Sequence, residues 1–287
     1  MCMTMSSPAF AVDSENNSIA SDSILEEEIC TNEYDYIVGV RTASANELQL
    51  MNISEDEIAY INSDAIESEL MYRATLSDEI LSDHYCYTDE EIEILREYDG
   101  TPLEQNSELR SITATLTATL TSIVNTSTRT GLLYTWNWST KPLINLTDIV
   151  AVSWDCTYEN SGDNNLKLNK DDSFANIQYY ATSEDQQGAT VAVDSDQAYY
   201  GGYAEIPMEK YYGVVYHWAK SGGAYFYADI VDKSGNYDLI EVSAHAEYAH
   251  YTLDVSLSFG VSFTPEASIS FVGTCDIHGK KNLIVNP

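Results

Sequence analysis

The sequence predicts an α+β protein: an acidic helical N-terminal region followed by an all-β antiparallel sandwich domain. Three observations carry that expectation. Of 287 residues, 46 are Asp or Glu and 13 are Lys or Arg, a formal charge of −33, and the excess is uneven. Residues 12–110 hold 26 acids and 4 bases, which leaves 20 and 9 for the rest of the chain. Two helix-start motifs lie inside the acidic block, and beyond Ser111 the apolar pattern changes from helical spacing to strict alternation. The boundary is therefore expected near residues 100–110, with a helical region over 12–110 and a β-sandwich domain over 111–287.

The helix starts come first. Ser54-Glu55-Asp56-Glu57 and Thr88-Asp89-Glu90-Glu91 both fit the S/T-x-x-E capping box, in which hydroxyl and carboxylate satisfy orphan amides of the first turn. Ile58 and Ile61 follow the first box, Ile92 and Leu95 the second, which gives each helix one apolar face. Met51-Asn52-Ile53-Ser54 and Tyr85-Cys86-Tyr87-Thr88 occupy matching places upstream, so a short helix, a tight break and a capped helix are expected twice. The second unit stops at Tyr98-Asp99-Gly100-Thr101-Pro102, where Gly suits a left-handed cap and Pro prevents continuation. So acidic a block repels itself and gains little by joining a common core. It reads as a solvated surface, a candidate prosegment or a cation-seeking face; no EF-hand spacing is present.

The strands follow. From Ile112 to Val124 an apolar parity (Ile112, Ala114, Leu116, Ala118, Leu120, Val124) alternates with threonines. From Tyr251 to Phe263 the pattern repeats with Leu, Val and Phe against Ser, Thr and Asp, breaks at Pro265 and resumes through Ile269 and Phe271. Between them come runs at 132–138, 149–158, 175–181, 189–193, 213–219, 224–231 and 239–248. Ser221-Gly222-Gly223 and Asp232-Lys233-Ser234-Gly235-Asn236 separate successive runs as hairpin turns would. Many short strands without a crossover helix argue for an antiparallel sandwich and against a parallel α/β sheet.

The strings Leu76-Ser77-Asp78-Glu79-Ile80-Leu81, Tyr87-Thr88-Asp89-Glu90-Glu91-Ile92, Trp136-Asn137-Trp138 and Thr147-Asp148-Ile149-Val150-Ala151-Val152-Ser153-Trp154 give the chain a likeness. It resembles uncharacterised secreted proteins of Gram-positive bacteria from about residue 76 onward. The resemblance implies an extracellular location and a two-part layout, and brings no site residues.

The address is read from the residues too. Ala9-Phe10-Ala11 forms an A-x-A cleavage site, so residues 1–11 are expected to be the remnant of a secretory signal peptide and the protein to be secreted. No run approaches the length of a transmembrane helix. So negative a chain excludes a cationic nucleic-acid binder, and 44% apolar residues exclude a disordered acidic chain. Cleavage after Ala11 leaves Cys30, Cys86, Cys156 and Cys275, two per region, which permits one disulfide in each or four unbridged thiols.

Chemistry-bearing motifs are sparse. Neither a G-x-S-x-G elbow nor a papain-like cysteine signature occurs. His245 and Glu247 share a strand face while His250 lies on the other, a poor arrangement for a metal. No cofactor is expected beyond Ca²⁺, for which Asp232, Asn236 and Asp238 alternate oxygen-bearing residues across a turn, with 163–172 as a second acidic loop. The tyrosines are the surplus: fifteen of 22 follow residue 110. Adjacent pairs on a strand point to opposite faces, so some rings are expected outside. Trp136, Trp138, Tyr199, Tyr200, Tyr203, Tyr211 and Tyr212 are the candidate ligand-binding rings, since exposed planar rings stack on sugars or make low-entropy contacts.

The function expected first is a secreted noncatalytic β-sandwich binding protein for a neutral carbohydrate or a protein surface, because strong negative charge disfavours anionic partners. Two alternatives stand beside it. A β-pore-forming toxin or bacteriocin-like effector would use the alternating segments 112–124 and 251–263. A secreted hydrolase would carry the acidic region as its prosegment.

Overall fold

The computed structural model describes residues 28–51, 53, 55–144, 147–158, 166–195, 197–231, 239–250, 260–264, 268–272 and 276–285. It is a mixed α+β structure built mostly of antiparallel sheet. The helices are α1 (Glu33–Thr42), α2 (Ala45–Met51), α3 (Glu55–Ile61), α4 (Ala65–Arg73), α5 (Asp78–Asp83) and α6 (Asp89–Glu97). Two 3₁₀ turns, Leu103–Gln105 and Ser107–Ser111, close the helical part, and no helix follows among the described residues. The strands are β1 (Glu28–Asn32), β2 (Thr115–Thr126), β3 (Arg129–Trp138), β4 (Thr147–Tyr158), β5 (Leu166–Leu168), β6 (Phe174–Tyr180), β7 (Gln186–Ala192), β8 (Gly201–Pro207), β9 (Glu209–Tyr212), β10 (Val215–Ile230), β11 (Leu239–His250), β12 (Gly260–Thr264), β13 (Ser268–Val272) and β14 (Asp276–Val285).

Local chemistry explains the helix boundaries. The second capping box is formed: Glu91 N donates to Thr88 Oγ1 at 3.2 Å and Thr88 N to Glu91 Oε2 at 2.7 Å. Ile92 and Leu95 are buried as the pattern requires, and Gly100 ends the segment at φ +88°. The break between α5 and α6 is set by Cys86, which holds φ +66°. Ser54 of the first box lies outside the described residues, although α3 begins at the next position.

The acidic block is not separate from the rest. β1 pairs antiparallel with β2 from Glu28↔Thr119 to Asn32↔Thr115 and so belongs to the larger sheet. The helical core of Ile37, Val40, Ile61, Leu70, Leu81 and Leu95 continues into Ile112, Leu143 and Ile144. Buried polar groups tie the two parts. Glu33, 1% exposed, accepts from the amides of Leu143 at 3.0 Å and Ile144 at 3.2 Å. Arg73, fully buried, donates to the carbonyls of Lys141 and Pro142, both at 2.8 Å. The expectation that self-repulsion keeps the block out of a common core is thus corrected. Its carboxylates lie largely outside, while an apolar face and a few fully satisfied charges face inward.

Sheet order is β1-β2-β3-β10-β6-β7, with β5 and β9 also paired to β10. A four-stranded sheet runs β14-β11-β4-β8, and β12 and β13 form a two-stranded sheet. Leu116, Leu120, Tyr134, Trp136, Trp138 and Phe226 of the first sheet share one core with Val150, Val152, Trp154, Val242 and Tyr248 of the second. Residues 149–154 of β4 are all buried, so both faces of that strand are covered; β12 and β13 lie beside it. Such double coverage accounts for a continuous run of mostly apolar residues in place of alternation.

One expected turn is not a turn. Ser221-Gly222-Gly223 lies inside β10, which joins the two runs that the sequence places in separate strands. Gly222 is there because Trp136 crosses it: a Cβ at that position would sit 2.2 Å from the indole Cζ2 and 2.5 Å from the Asn176 carbonyl oxygen. The glycine permits a close approach rather than a reversal.

Candidate contact surface

The seven candidate rings part into three groups. Trp136 and Trp138 are core residues, 2% and 0% exposed, and offer no ring to an outside ligand. Burial of a ring of roughly 150–250 Å² is worth about 4–6 kcal/mol at ~25 cal/mol/Å², so a scaffold that can enclose them does. Trp138 Nε1 donates to the Tyr248 hydroxyl at 3.3 Å, whereas Trp136 Nε1 is buried without a hydrogen-bond partner and its ring lies 6.0 Å from that of Tyr248. Tyr199 and Tyr200 precede β8, and Tyr203 lies within it; Tyr199 is exposed with Lys167 Nζ 5.5 Å from its centroid. Tyr211 and Tyr212 follow at the far end of that strand, on β9. The candidates therefore do not converge on one platform.

Among the described residues, Tyr211, Val214 and Val215 bring three exposed large apolar side chains together on the β9–β10 hairpin. Its register runs Tyr212↔Val215, Tyr211↔Tyr216, Lys210↔His217 and Glu209↔Trp218. Gly213, at φ +67°, takes the first turn position that a II′ turn reserves for glycine. At the tip Tyr211 is 69% and Val214 96% exposed, with Val215 at 40%. Tyr211 packs edge-on against Tyr216 at 5.3 Å.

The base of this hairpin is anchored. Trp218 Nε1 donates to the His84 carbonyl at 2.8 Å, and buried His217 has Nε2 3.1 Å from Asp185 Oδ1. Lys141 Nζ lies 4.5 Å over the Tyr216 ring and 3.4 Å from Glu209; burial lowers its pKa, and Glu209 only partly offsets that. His84 places Nδ1 2.9 Å from the Ala181 carbonyl, an acceptor only, so that nitrogen carries the proton. Burial shifts the His84 pKa down. Beside it Lys220 Nζ donates to Cys86 Sγ at 3.0 Å. Tyr211 and Tyr212 are marked by residue type in the sequence, whereas His84, Cys86 and Lys141 reach this end from two distant segments and Lys220 from further along β10. The usable signal for the tip was Gly213 followed by two valines.

The remaining candidates fall elsewhere. Asp232, Asn236 and Asp238 lie outside the described residues, as does 159–165. In the described part of the second acidic loop, Asp172 pairs with Arg129. Among the described residues no group of three His, Cys, Asp or Glu side chains is placed to hold a metal. His245 Nε2 and Glu247 Oε1 are 2.6 Å apart on one face of β11, with Glu247 1% exposed and His245 half-buried. Cys30 and Cys86 are not bridged, so the N-terminal pair does not form the disulfide that its count permits.

No family model matches the chain, and no curated protein matches it. Among solved structures it is similar to one described as "AvmM Catalyzes Macrocyclization in Alchivemycin A Biosynthesis", at 10% identity and a TM-score of 0.29, over 59% of this chain and 86% of that one. Likeness at that level carries no argument about activity.

Proposed function

We propose that this is a secreted, noncatalytic binding protein whose contact element is the β9–β10 tip, seated in an apolar depression on another protein. The observation that carries the reading is the exposure of Tyr211, Val214 and Val215 at a turn whose base is held by Trp218, His217 and Lys141. A convex aliphatic tip suits an apolar protein pocket, and an anchored one loses little freedom on binding. In this reading the two sheets, joined through Trp138 and Tyr248, act as a β-sandwich scaffold, and the A-x-A site at Ala9 and Ala11 supports export. Three buried carboxylates serve the fold. Asp148 accepts from the Tyr248 hydroxyl at 2.5 Å, Glu33 from two amides, and Glu247 meets His245. That favours binding over hydrolysis.

The test is site-specific photo-crosslinking with the full chain on intact cells, the reactive group placed at Val214 or, as a control, at Val231, which is 51% exposed. A protein adduct at Val214 that disappears with Tyr211→Ser supports the reading; equal labelling from both positions sinks it. Glycan-array binding by the full chain that is lost with Tyr211→Ala would transfer the site to a neutral sugar.

One observation favours the pore-forming alternative as a second reading. The β12–β13 register pairs Val261 with Phe271 and Phe263 with Ile269, and Ser262 with Ser270 and Thr264 with Ser268. In sequence, apolar Val261 and Phe263 alternate with hydroxylated Ser262 and Thr264, the pattern that a hairpin between lipid and water requires. The other segment proposed for that role is committed elsewhere: Leu116, Ala118 and Leu120 are core residues of β2. Dye release from liposomes separates the readings, since a binding protein leaves vesicles intact.

A further inference from the structure

We infer that Cys86 and Lys220 form an oxidation-triggered covalent cross-link between the α5–α6 break and β10. Sγ and Nζ are 3.0 Å apart although 134 residues separate them in sequence. Three features aim the two side chains at each other. Cys86 holds φ +66°, a left-handed conformation that costs a non-glycine residue energy and persists only where the surroundings over-determine it. They do so on both sides. Tyr87 N donates to the Leu81 carbonyl at 3.0 Å, and the Tyr85 carbonyl accepts from Lys141 N at 3.2 Å and Thr140 Oγ1 at 2.7 Å. Lys220 is the extra residue where the β10–β6 register shifts between Ala219 and Ser221, and such a bulge re-aims one side chain out of the ladder. Aromatic rings then hold the ammonium, with Tyr180 at 4.5 Å and Trp218 at 6.0 Å.

The Tyr180 hydroxyl also bonds to Cys86, and burial raises its pKa first of all, so it remains a phenol. Cys86 and Lys220 are both half-buried, within reach of a small oxidant but shielded from macromolecules. The oxidant class is a peroxide. The thiolate attacks a peroxide oxygen, the O–O bond breaks, and sulfur becomes a sulfenic acid while the other oxygen leaves as hydroxide and is protonated to water. The Lys220 amine, after losing a proton to solvent, attacks sulfur; the S–N bond forms as the S–O bond breaks, and a second water leaves. Sulfur has lost two electrons and the peroxide has gained them. The product is lighter than the reduced chain by two hydrogens.

The experiment treats the full chain with hydrogen peroxide and maps peptides by mass, without and with later thiol reductant. The expected result is a peptide pair joined through Cys86 and Lys220, lighter by two hydrogens and released by reductant. Cys30 serves as the internal control: it is exposed, with the Thr117 hydroxyl 3.7 Å away, and should gain oxygen instead. Lys220→Arg should abolish the linked pair and leave oxygen on Cys86. Oxygen addition at Cys86 in the native chain, with Lys220 free, overturns the proposal. So does a linked pair that survives in Lys220→Arg.

Discussion

Replacing Arg73 by methionine removes the strongest tie between the helical layer and the sheets while keeping an unbranched stem of similar length. The guanidinium is fully buried and donates to Glu69 Oε1 at 2.8 Å, the Tyr87 hydroxyl at 2.9 Å and the Lys141 and Pro142 carbonyls at 2.8 Å, over the Tyr85 ring at 4.6 Å. Burial by itself would lower its pKa, but Tyr87 and Glu69 outweigh that, so the group stays charged at any pH at which the chain folds. A thioether in its place would take the Arg73 donors away from two buried carbonyls, and removal of one partner from a buried ionic network costs about 3–5 kcal/mol. We expect Arg73→Met to lose about 3–5 kcal/mol, discounted little for solvent because the site is closed. Arg73→Lys should lose a substantial part of that, because a point cation lacks the fork that reaches both carbonyls. Urea unfolding of the full chain, followed by the fluorescence of its four tryptophans, measures the change. A loss of less than about 0.5 kcal/mol, the range of an ordinary surface change, would refute the view that this network joins the two parts.

Other perturbations follow the same logic. Gly222→Ala must displace the Trp136 indole or the Asn176 backbone and should cost about 1–3 kcal/mol. Gly188→Ala on β7 meets nothing within 4 Å and should be neutral or stabilising by about 0.5–1 kcal/mol; thermal melting of the pair checks both. Thr88→Ala removes one half of the capping box and should cost about 1 kcal/mol in a denaturant titration. His84 has a folded-state pKa below its ordinary value, so as pH falls through about 6.5 the unfolded chain takes up a proton first and stability declines. His84→Gln should flatten that decline; an unchanged slope between native and variant would contradict the assignment.

How much of this was legible depends on how local the cause is. The α6 start needs only Thr88 and Glu91, and its end only Gly100, so both could be read directly. The alternation over 115–120 likewise follows from one buried face of β2, whereas Ile112, Thr113 and Ala114 before it are all buried. Gly222 was misread because glycine serves turns and close approaches alike, and only the position of Trp136 decides between them. The two tryptophans were placed outside because a strand of aromatics fixes which parity they share, not which parity is buried; the latter depends on the second sheet. β1 and β14 escaped because an edge or late strand with mixed polarity has no periodic signature of its own. At the candidate surface, Tyr211 was visible by type, whereas Lys141 and Lys220 came beside it only through tertiary placement.

The place of β1 bears on the fate of the acidic region. Because Glu28–Asn32 pairs with Thr115–Thr119, proteolytic release of everything before residue 111 would strip one boundary of the larger sheet and bare the amides and carbonyls of a long threonine-rich ribbon. A trimmed chain would be inclined to recruit a replacement from a neighbour, so processing at that point would drive self-association rather than yield an independent monomeric effector.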